Sequence, residues 1–224
     1  HTFMINDDSK KISTKHISKN ECNIPENKII LANFNKFYKI TPKIFNTWIQ
    51  ILLKLPDSIL WLYNDNNTGR KNLLSEAKKL GLNDNRILFA NKLPDYSDYI
   101  ARLKNVDLFL DTYPYSSHVV ACDVVSADVP IVTISGETFS SNVCASILND
   151  LKLNDLIVKN FDEYINKTIE ISKNIKFYKD LLVKNKKFST LFNTKLYVKN
   201  FEKSLEFAHN NLLENKKENI YIKN

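Results

Sequence analysis

Short apolar runs alternate with longer amphipathic segments from about residue 28 onward. The runs are bounded by turn residues and are too short for helices, whereas the segments between them have helical length. This alternation is typical of βαβ units, in which helices connect parallel strands. It predicts an α/β fold built on a Rossmann-like parallel sheet. The predicted strands are Lys28–Asn33, Ile59–Tyr63, Arg86–Ala90, Val106–Asp111, Pro130–Ile134 and Leu156–Val158.

Boundary residues mark the first two helices. Thr41 and Pro42 supply an N-cap and a first-turn proline, and Pro56 stops the helix. The second predicted helix, Arg70–Leu80, ends before Gly81, because glycine commonly occupies the position after a helix. Later helices are predicted at Ser97–Lys104, His118–Ala127, Thr138–Leu151 and Phe161–Lys173.

The chain divides into three predicted parts. Residues 1–27 show no periodicity, and we interpret them as a linker from a preceding domain. Residues 28–175 form the predicted α/β lobe, and residues 176–224 form a helical extension. Between about residues 176 and 214 this extension carries many large apolar side chains. We therefore expect it to pack on another surface.

Composition argues against several classes of protein. No run of about 18 apolar residues is present, so a membrane span is not expected. The cysteines Cys22, Cys122 and Cys144 and the four histidines lack the spacing of disulfide frameworks or metal sites. No five-residue Lys/Arg block occurs, which argues against nucleic-acid binding. The first 25 residues lack a secretory signal, so we expect a cytoplasmic protein, and we interpret a chain that opens at His1 as an excerpt of a longer one.

Four predicted loops carry polar residues where strands end and helices begin. They comprise residues 33–39, 91–94, 111–118 and 135–138. In an open parallel sheet, ligands bind beyond the carboxyl ends of the strands, so we expect these loops to form one rim. Two of them open a helix, at His118 and at Thr138, and helix N-termini attract anions. Neither a GxGxxG stretch nor a GxxxxGK[ST] stretch is present.

The rim residues favour a nucleoside diphosphate, although each has a simpler interpretation. Lys36 and Lys39 are placed to meet a pyrophosphate, but a loop lysine is usually a solvated charge. Asp123 either accepts hydrogen bonds from sugar hydroxyls or faces solvent. Tyr99 is placed to stack on a base, and His118 contacts phosphate, caps a helix or belongs to the core. The net charge of +7 suits an anionic ligand and equally fits a coding bias toward lysine and asparagine.

Several stretches of the sequence are more specific than this pattern. They are Phe34–Pro42, Pro56–Leu62, Arg86–Phe89, Asp107–Thr112, Pro130–Thr133, Gly136–Thr138 and Leu191–Thr194. In order and spacing they resemble the C-terminal catalytic lobe of the protein O-GlcNAc transferase family, glycosyltransferase family 41. The resemblance covers essentially the whole chain, and His1–Phe3 resemble the last turn of the family's N-terminal catalytic lobe.

The resemblance implies a GT-B glycosyltransferase with two Rossmann-like lobes. Such an enzyme transfers N-acetylglucosamine from UDP-GlcNAc to Ser/Thr of intracellular proteins, in the cytoplasm or also the nucleus. This chain would supply the UDP-binding lobe, without a cofactor or metal. An N-terminal catalytic lobe, toward which the helical tail packs, and helical repeats of the same protein would be its partners, and acceptor proteins its second substrate.

The same resemblance assigns roles to residues. Lys39 matches the lysine that faces the β-phosphate and stabilises the leaving UDP in an inverting transfer, and Lys36 occupies a neighbouring contact position. Leu93 would offer backbone groups to uracil, Tyr99 matches a histidine that stacks on it, and Arg102 matches a nearby basic residue.

Further roles concern one predicted helix. His118, Val119 and Val120 match the helix start that cradles the diphosphate, and Asp123 matches the acid that holds the ribose. The family has threonines in place of the two valines, so two hydroxyl donors are missing here. A one-residue insertion near Tyr96 is a further departure.

These departures leave three functions open. The first is a protein O-GlcNAc transferase that uses UDP-GlcNAc. The second is a related enzyme with another nucleotide sugar, such as a protein O-fucosyltransferase, which would prefer GDP to UDP. The third is a diverged binding module without turnover, which the two valines favour.

Overall fold

A six-stranded parallel sheet forms the centre of the protein. The computed structural model describes residues 5–9 and 15–221. Its strands are β1 (Ile29–Asn33), β2 (Ser58–Tyr63), β3 (Ile87–Ala90), β4 (Leu108–Leu110), β5 (Ile131–Ile134) and β6 (Ile157–Val158). Neighbouring strands are parallel in the order β3-β2-β1-β4-β5-β6. The predicted α/β fold is confirmed, and the strand bounds lie close to those predicted.

Eight α-helices are described, and they cover the sheet. They are α1 (Pro42–Lys54), α2 (Asn67–Lys79), α3 (Tyr96–Leu103), α4 (Val119–Ser126), α5 (Phe139–Asp150), α6 (Phe161–Ser172), α7 (Ile175–Lys186) and α8 (Thr194–Leu213). Because helices pack on both faces of a parallel sheet, its strands are apolar runs rather than alternating patterns. Leu31, Leu60 and Phe109 on the three central strands are accordingly fully buried.

The first helix illustrates how local signals and packing agree. The hydroxyl of Thr41 accepts a hydrogen bond from the backbone N–H of Ile44, and Pro42 occupies the first position, as predicted. The apolar face of α1 is buried, and Trp48 on that face is completely enclosed. Its indole nitrogen donates to the hydroxyl of Tyr164 on α6 at 3.4 Å. Helix α1 is thereby fixed against the sheet and α6.

One helical prediction needs correction. Helix α2 begins at Asn67 rather than Arg70, because the side chain of Asn66 accepts from the backbone N–H of Gly69 and caps the helix there. The tail is largely helical, as predicted, and a short 3-10 helix at residues 190–192 separates α7 from α8. Ser189 and Thr190 both donate hydroxyl hydrogen bonds to Asp150 on α5, which holds the break against the lobe.

The two helices of the tail pack differently. Tyr178 and Leu182 on α7 and Leu191 after it are buried in the core. None of the residues of α8 is buried, although Tyr197, Phe201 and other apolar residues lie on it. The expectation that the tail packs on another surface is confirmed for α7, and packing of α8 toward a preceding lobe stays a prediction.

Residues before the first strand contact the lobe. Asn6 is nearly buried, and its amide donates to Ser126 on α4 at 2.7 Å. Ile17 and Ile24 are buried as well. Residues 1–4 and 10–14, which include the His1–Phe3 stretch, lie outside the described residues. The division of the chain at residues 27 and 175 stays a prediction.

Strand order fixes where a ligand site can form. The order reverses between β1 and β4, which lie side by side at the centre of the sheet although they are not consecutive. At such a switch point the loops diverge and leave a crevice at the carboxyl ends of the strands. Among the described helices, none combines the length and the apolar character needed to cross a membrane.

Candidate functional site

A cavity of about 590 Å³ lies at the carboxyl ends of the strands, beside the switch point. Its walls are the loop after β1, the loop between β3 and α3, and the loop that leads from β4 into α4. The cavity is lined by Phe34, Asn35, Lys36, Tyr38, Lys39, Tyr63, Lys92, Leu93, Pro94, Tyr96, Tyr99, Arg102, Tyr115, His118, Val119 and Val120. Three of the four predicted rim loops therefore meet in one place.

The charge of this lining is one-sided. Four cationic side chains line the cavity, and no carboxylate does so in the described part of the chain. These cations are Lys36, Lys39, Lys92 and Arg102. A concave surface of one charge sign concentrates ligands of the opposite sign. The cavity therefore suits an anionic ligand with an aromatic part, since six aromatic residues besides His118 also line it.

Lys39 is the most enclosed of the lysines. Its ammonium donates to the backbone carbonyl of Ser116 at 2.9 Å and lies 3.8 Å from the centre of the Tyr115 ring. Only 9% of the residue is exposed. Burial lowers the pKa of Lys39 below its usual range, while the nearby carboxylate of Asp111 opposes this shift. Lys39 is thus a partly desolvated cation at the cavity wall, and its contacts with Ser116 and Tyr115 fix its position.

Lys36 has a different environment. Its ammonium forms a 2.6 Å ion pair with Asp65, in the segment after β2, and lies over the ring of Tyr63. The hydrogen bond to Asp65 raises the pKa of Lys36. Asp65 also accepts from the backbone N–H of Phe37 at 3.2 Å, which ties the two loops together. Lys36 is half exposed, so an incoming anion can draw it away from Asp65.

A buried carboxylate holds the loop that follows β4. Asp111 accepts hydrogen bonds from the backbone N–H groups of Thr112 and Ser117 and from the hydroxyls of Ser117 and Thr133, at 2.6–2.8 Å. Asn35, from the loop after β1, donates to the same Ser117 hydroxyl at 2.6 Å. This network joins the two central loops. Burial raises the pKa of Asp111, and the hydrogen bonds from Ser117 and Thr133 oppose that shift.

The start of α4 borders the cavity. His118 is the N-cap residue, but its side chain makes no capping hydrogen bond; its ring lies 3.4 Å from the carbonyl of Ser140. Burial lowers the pKa of His118, so the ring is neutral at pH 7. Val119 and Val120 line the cavity just after it. First-turn N–H groups that lack a side-chain cap are suited to bind phosphate oxygens.

At the other end of the cavity lie Leu93, Tyr99 and Arg102. The guanidinium of Arg102 lies over the rings of Phe34, Trp61 and Tyr99, at 5.2–5.8 Å from their centres. It donates to the carbonyl of Asn91 at 2.5 Å, while its Nε is buried without a hydrogen-bond partner among the described residues. Arg102 also borders a second cavity of about 510 Å³.

Tyr99 is enclosed between neighbouring rings. Its ring centre lies 6.3 Å from that of Phe34 and 6.1 Å from that of Tyr96. Burial raises the pKa of Tyr99, so the phenol stays protonated. Tyr99 borders the cavity, and the predicted stacking on a base stays a prediction.

Asp123 is the one predicted site residue that does not line the cavity. It is 5% exposed, and the hydroxyl of Tyr96 donates to its Oδ1 at 2.6 Å. The other eight predicted residues meet around one space: Lys36, Lys39, Leu93, Tyr99, Arg102, His118, Val119 and Val120. The sequence thus identified the wall of the cavity, but not the contact that covers Asp123.

Several cavity residues were not predicted as ligand contacts. Tyr38, Lys92 and Tyr115 belong to the predicted rim loops, so their position was available from the sequence, whereas Tyr63 carried no distinguishing signal. Asp65 was missed because the helix cap that follows it, Asn66, lies among other asparagines. Among residues 5–9 and 15–221, no group of three or more His, Cys, Asp or Glu side chains could hold a metal ion.

Comparison with known proteins assigns the family. The sequence model described as glycosyl transferase family 41 matches residues 7–201, most of the chain. The chain belongs to this family. Two proteins named UDP-N-acetylglucosamine--peptide N-acetylglucosaminyltransferase are similar to it. The Arabidopsis thaliana protein, which carries the name SEC and the qualifier "probable", is 31% identical over 91% of this chain and 22% of its own length. One from Caenorhabditis elegans is 29% identical over 83% of this chain and 16% of its own length.

Solved structures agree with the fold. A mutant O-GlcNAc transferase from Thermobaculum terrenum superposes with a TM-score of 0.67 at 23% identity, over 71% of this chain and 32% of that chain. The C-terminal domain of a group 1 glycosyl transferase from Francisella tularensis gives a TM-score of 0.57 at 15% identity, over 79% of this chain and 90% of that domain. The family 41 chain therefore has the lobe architecture of GT-B glycosyltransferases, and it spans about a fifth of the length of the curated relatives that it matches.

Proposed function

We propose that this chain is the donor-binding lobe of a protein O-GlcNAc transferase, which transfers N-acetylglucosamine from UDP-GlcNAc to serine or threonine hydroxyls of proteins. The observation that carries the proposal is the cavity at the switch point, with four cations and no lining carboxylate in the described residues, in a family 41 chain. The names of the relatives support the choice of donor and acceptor.

The diphosphate is assigned to the end of the cavity formed by Lys39, Lys36 and the start of α4. These groups offer two ammonium groups and the first-turn N–H groups of Val119 and Val120. The uracil is assigned to the other end, where Leu93 offers backbone groups and Tyr99 and Arg102 form the wall. The cavity volume of about 590 Å³ lies within the usual range of ligand pockets.

Lys39 is the residue to which we assign a catalytic role. In the proposed inverting transfer, the acceptor hydroxyl oxygen forms a bond to C1 of the sugar from the face opposite to UDP. The bond between C1 and the β-phosphate oxygen breaks, and that oxygen keeps the bonding electrons. The proton of the acceptor hydroxyl is released to water or to the departing diphosphate. Because negative charge grows on it, a cation already held in place stabilises the transition state more than the ground state.

No metal ion is needed in this proposal, because Lys39, Lys36 and the α4 N–H groups supply the positive charge. We assign the acceptor contacts to an N-terminal catalytic lobe and to helical repeats of a longer protein, in line with the fraction of its relatives that the chain spans. We place the activity in the cytoplasm or the nucleus.

Calorimetric titration of the chain with UDP and GDP tests the proposal. We expect UDP to bind at least about tenfold more tightly than GDP, and Lys39→Met to weaken UDP binding by about 30-fold or more, because the phosphate then faces a buried apolar group. Lys179→Met is the matched control. Lys179, on α7, also has a pKa lowered by burial and also donates to a backbone carbonyl, that of Val106 at 2.7 Å.

The control lies away from the cavity, so we expect Lys179→Met to leave UDP binding within about twofold of the wild type. Circular dichroism establishes that each sample is folded. Absence of UDP binding by the folded wild-type chain contradicts the proposal. A preference for GDP over UDP contradicts the assigned donor and favours another nucleotide sugar, such as GDP-fucose.

A further inference from the structure

A tyrosine side chain covers a predicted site residue, the carboxylate of Asp123, which lies beside the cavity but does not line it. Tyr96 is the first residue of α3, and its hydroxyl donates to Oδ1 of Asp123 on α4 at 2.6 Å. Tyr96 lines the cavity and is 37% exposed, whereas Asp123 is 5% exposed. The tyrosine ring therefore stands between the carboxylate and the ligand space.

The position of Asp123 on its helix shows what lies beneath Tyr96. Asp123 follows Val119 by four residues, and residues four apart share one face of a helix. Val119 lines the cavity. The carboxylate of Asp123 thus lies on the cavity-facing side of α4, one turn below the N-terminal donors, with the hydroxyl of Tyr96 against it.

A phenol hydroxyl and a sugar hydroxyl offer a carboxylate the same interaction. Each donates one O–H to an ionised oxygen, and carboxylates in Rossmann-like folds commonly accept from ribose hydroxyls. Burial and the hydrogen bond to Asp123 raise the pKa of Tyr96, so its hydroxyl remains a donor across the neutral range. The contact between Tyr96 and Asp123 therefore occupies an acceptor position that a ribose could use.

The protein also contains a space into which Tyr96 can turn. A smaller cavity of about 200 Å³ lies on the other side of the ring, and Tyr96 lines both cavities. Ile100 and Phe192 form its apolar wall, and Ser126 is among its polar residues. A phenol displaced from Asp123 would keep apolar contacts and polar partners there.

We propose that Tyr96 determines how strongly the site selects ribonucleotides, because its hydroxyl occupies the position on Asp123 that ribose hydroxyls must take. This inference rests on the proposed function, since it assumes a nucleoside diphosphate in the larger cavity. A ribonucleotide must displace the internal hydrogen bond before Asp123 can accept from its sugar. A nucleotide without ribose hydroxyls binds without displacing it.

Titration of UDP and of 2′,3′-dideoxy-UDP into wild type and Tyr96→Phe tests this competition. The phenylalanine keeps the ring and removes the competing donor. We expect Tyr96→Phe to tighten UDP binding by about threefold to tenfold, the usual range for one hydrogen bond to a charged group after partial resolvation. Binding of the dideoxy nucleotide should stay within about twofold. The preference for UDP over its dideoxy analogue therefore rises in the variant.

Tyr178→Phe is the matched control. The hydroxyl of Tyr178 donates to a carboxylate oxygen of Glu170 at 2.8 Å, and the residue lies on α7, away from the cavity. Removing this tyrosine–carboxylate hydrogen bond should change neither affinity. In an Asp123→Asn background, the effect of Tyr96→Phe on UDP should disappear, because the acceptor for which the two hydroxyls compete is no longer charged.

The outcomes separate this inference from the proposed function. UDP binding that is unchanged or weaker in Tyr96→Phe, with the wild type binding normally, overturns the competition and leaves the proposed function intact. An equal gain for UDP and for the dideoxy nucleotide also overturns it, because the gain then does not depend on ribose hydroxyls. Absence of UDP binding by folded wild type and folded variant overturns both.

Discussion

The two ends of β4 carry the same types of residue in different arrangements. Asp107 precedes the strand and Asp111 follows it, and a lysine with a pKa lowered by burial lies near each aspartate. At the amino end, Lys179 lies 3.6 Å from the carboxylate of Asp107. At the carboxyl end, Lys39 donates to the Ser116 carbonyl, and Asp111 is engaged by hydroxyls and backbone N–H groups.

This difference separates a structural end of the sheet from a binding end. At the amino end, cation and carboxylate compensate each other, so nothing is left for a ligand. At the carboxyl end, the carboxylate of Asp111 is fully occupied by hydrogen bonds from its own loop and from Thr133. Lys39 there faces a cavity lined by three further cations. A buried cation that contacts a neutral carbonyl and a ring gains more from an arriving phosphate than a cation already beside an anion.

Removing the two aspartates in turn gives the largest expected effect on this comparison. Asp111→Ala leaves two buried N–H groups and two hydroxyls without their acceptor, so we expect the free energy of unfolding to fall by about 3–5 kcal/mol. Asp107→Ala removes the acceptor of the Ile30 N–H and the partner of Lys179, so we expect a loss of about 1 kcal/mol. Urea denaturation of both variants measures the difference.

Equal losses in the two variants would contradict the assignment of Asp111 as the residue that organises the carboxyl end. Asp111→Asn serves as an additional control. The amide oxygen can keep the contacts of Oδ1 with the two N–H groups and the Ser117 hydroxyl, so only the hydroxyl of Thr133 has to reorient toward the NH₂ group. We therefore expect Asp111→Asn to be less destabilising than Asp111→Ala.

The second-largest expected effect is the pH dependence of UDP binding. Lys39 binds phosphate only when charged, and burial has lowered its pKa. The contribution of Lys39 to UDP binding is therefore lost as pH rises through this lowered pKa, before ordinary lysines lose their proton. We expect UDP affinity to fall by about tenfold between pH 7 and pH 10, an effect of the size of one perturbed charge contact.

Titrations in the Lys39→Met variant show whether this slope belongs to Lys39. The variant lacks the titrating group, so its affinity should change less over the same pH range. A slope as steep in the variant as in the wild type would assign the pH dependence to other cations of the cavity, and would contradict the role given to Lys39.

Much of this architecture could be predicted from the sequence because its signals are local. Apolar runs indicated the strands, and caps such as Thr41 indicated where helices begin. Gly81 marked the end of α2, where it adopts the left-handed conformation with φ of 83°. Eight of the nine proposed contacts line the cavity because strand-end loops of a parallel sheet share one edge. Local signals failed at Asn66, where a cap lay among other asparagines.

Other features depend on contacts between distant residues, which periodicity does not encode. The ion pair of Lys36 with Asp65 spans 29 positions, and the hydrogen bond of Tyr96 with Asp123 spans 27. The sequence showed that Tyr96 lies at an insertion, but not that its hydroxyl reaches α4. Exposure of α8 was equally hidden, since an amphipathic pattern does not tell whether its apolar side is covered by the same chain.

The smallest expected effect concerns two exposed ion pairs that flank β1. Lys28 pairs with Asp57 at 2.8 Å near the amino end, and Lys36 pairs with Asp65 at 2.6 Å beyond the carboxyl end. Exposed ion pairs contribute about 0–1 kcal/mol to stability, so we expect Lys28→Gln and Lys36→Gln to unfold at similar urea concentrations. Only Lys36 borders the cavity, and its replacement should weaken UDP binding by about threefold, whereas Lys28→Gln should leave it unchanged. A similar weakening in both variants would mean that UDP affinity depends on the net charge of the lobe rather than on a direct contact with Lys36. Titration at two salt concentrations distinguishes these cases, because salt screens long-range attraction more strongly than a direct contact.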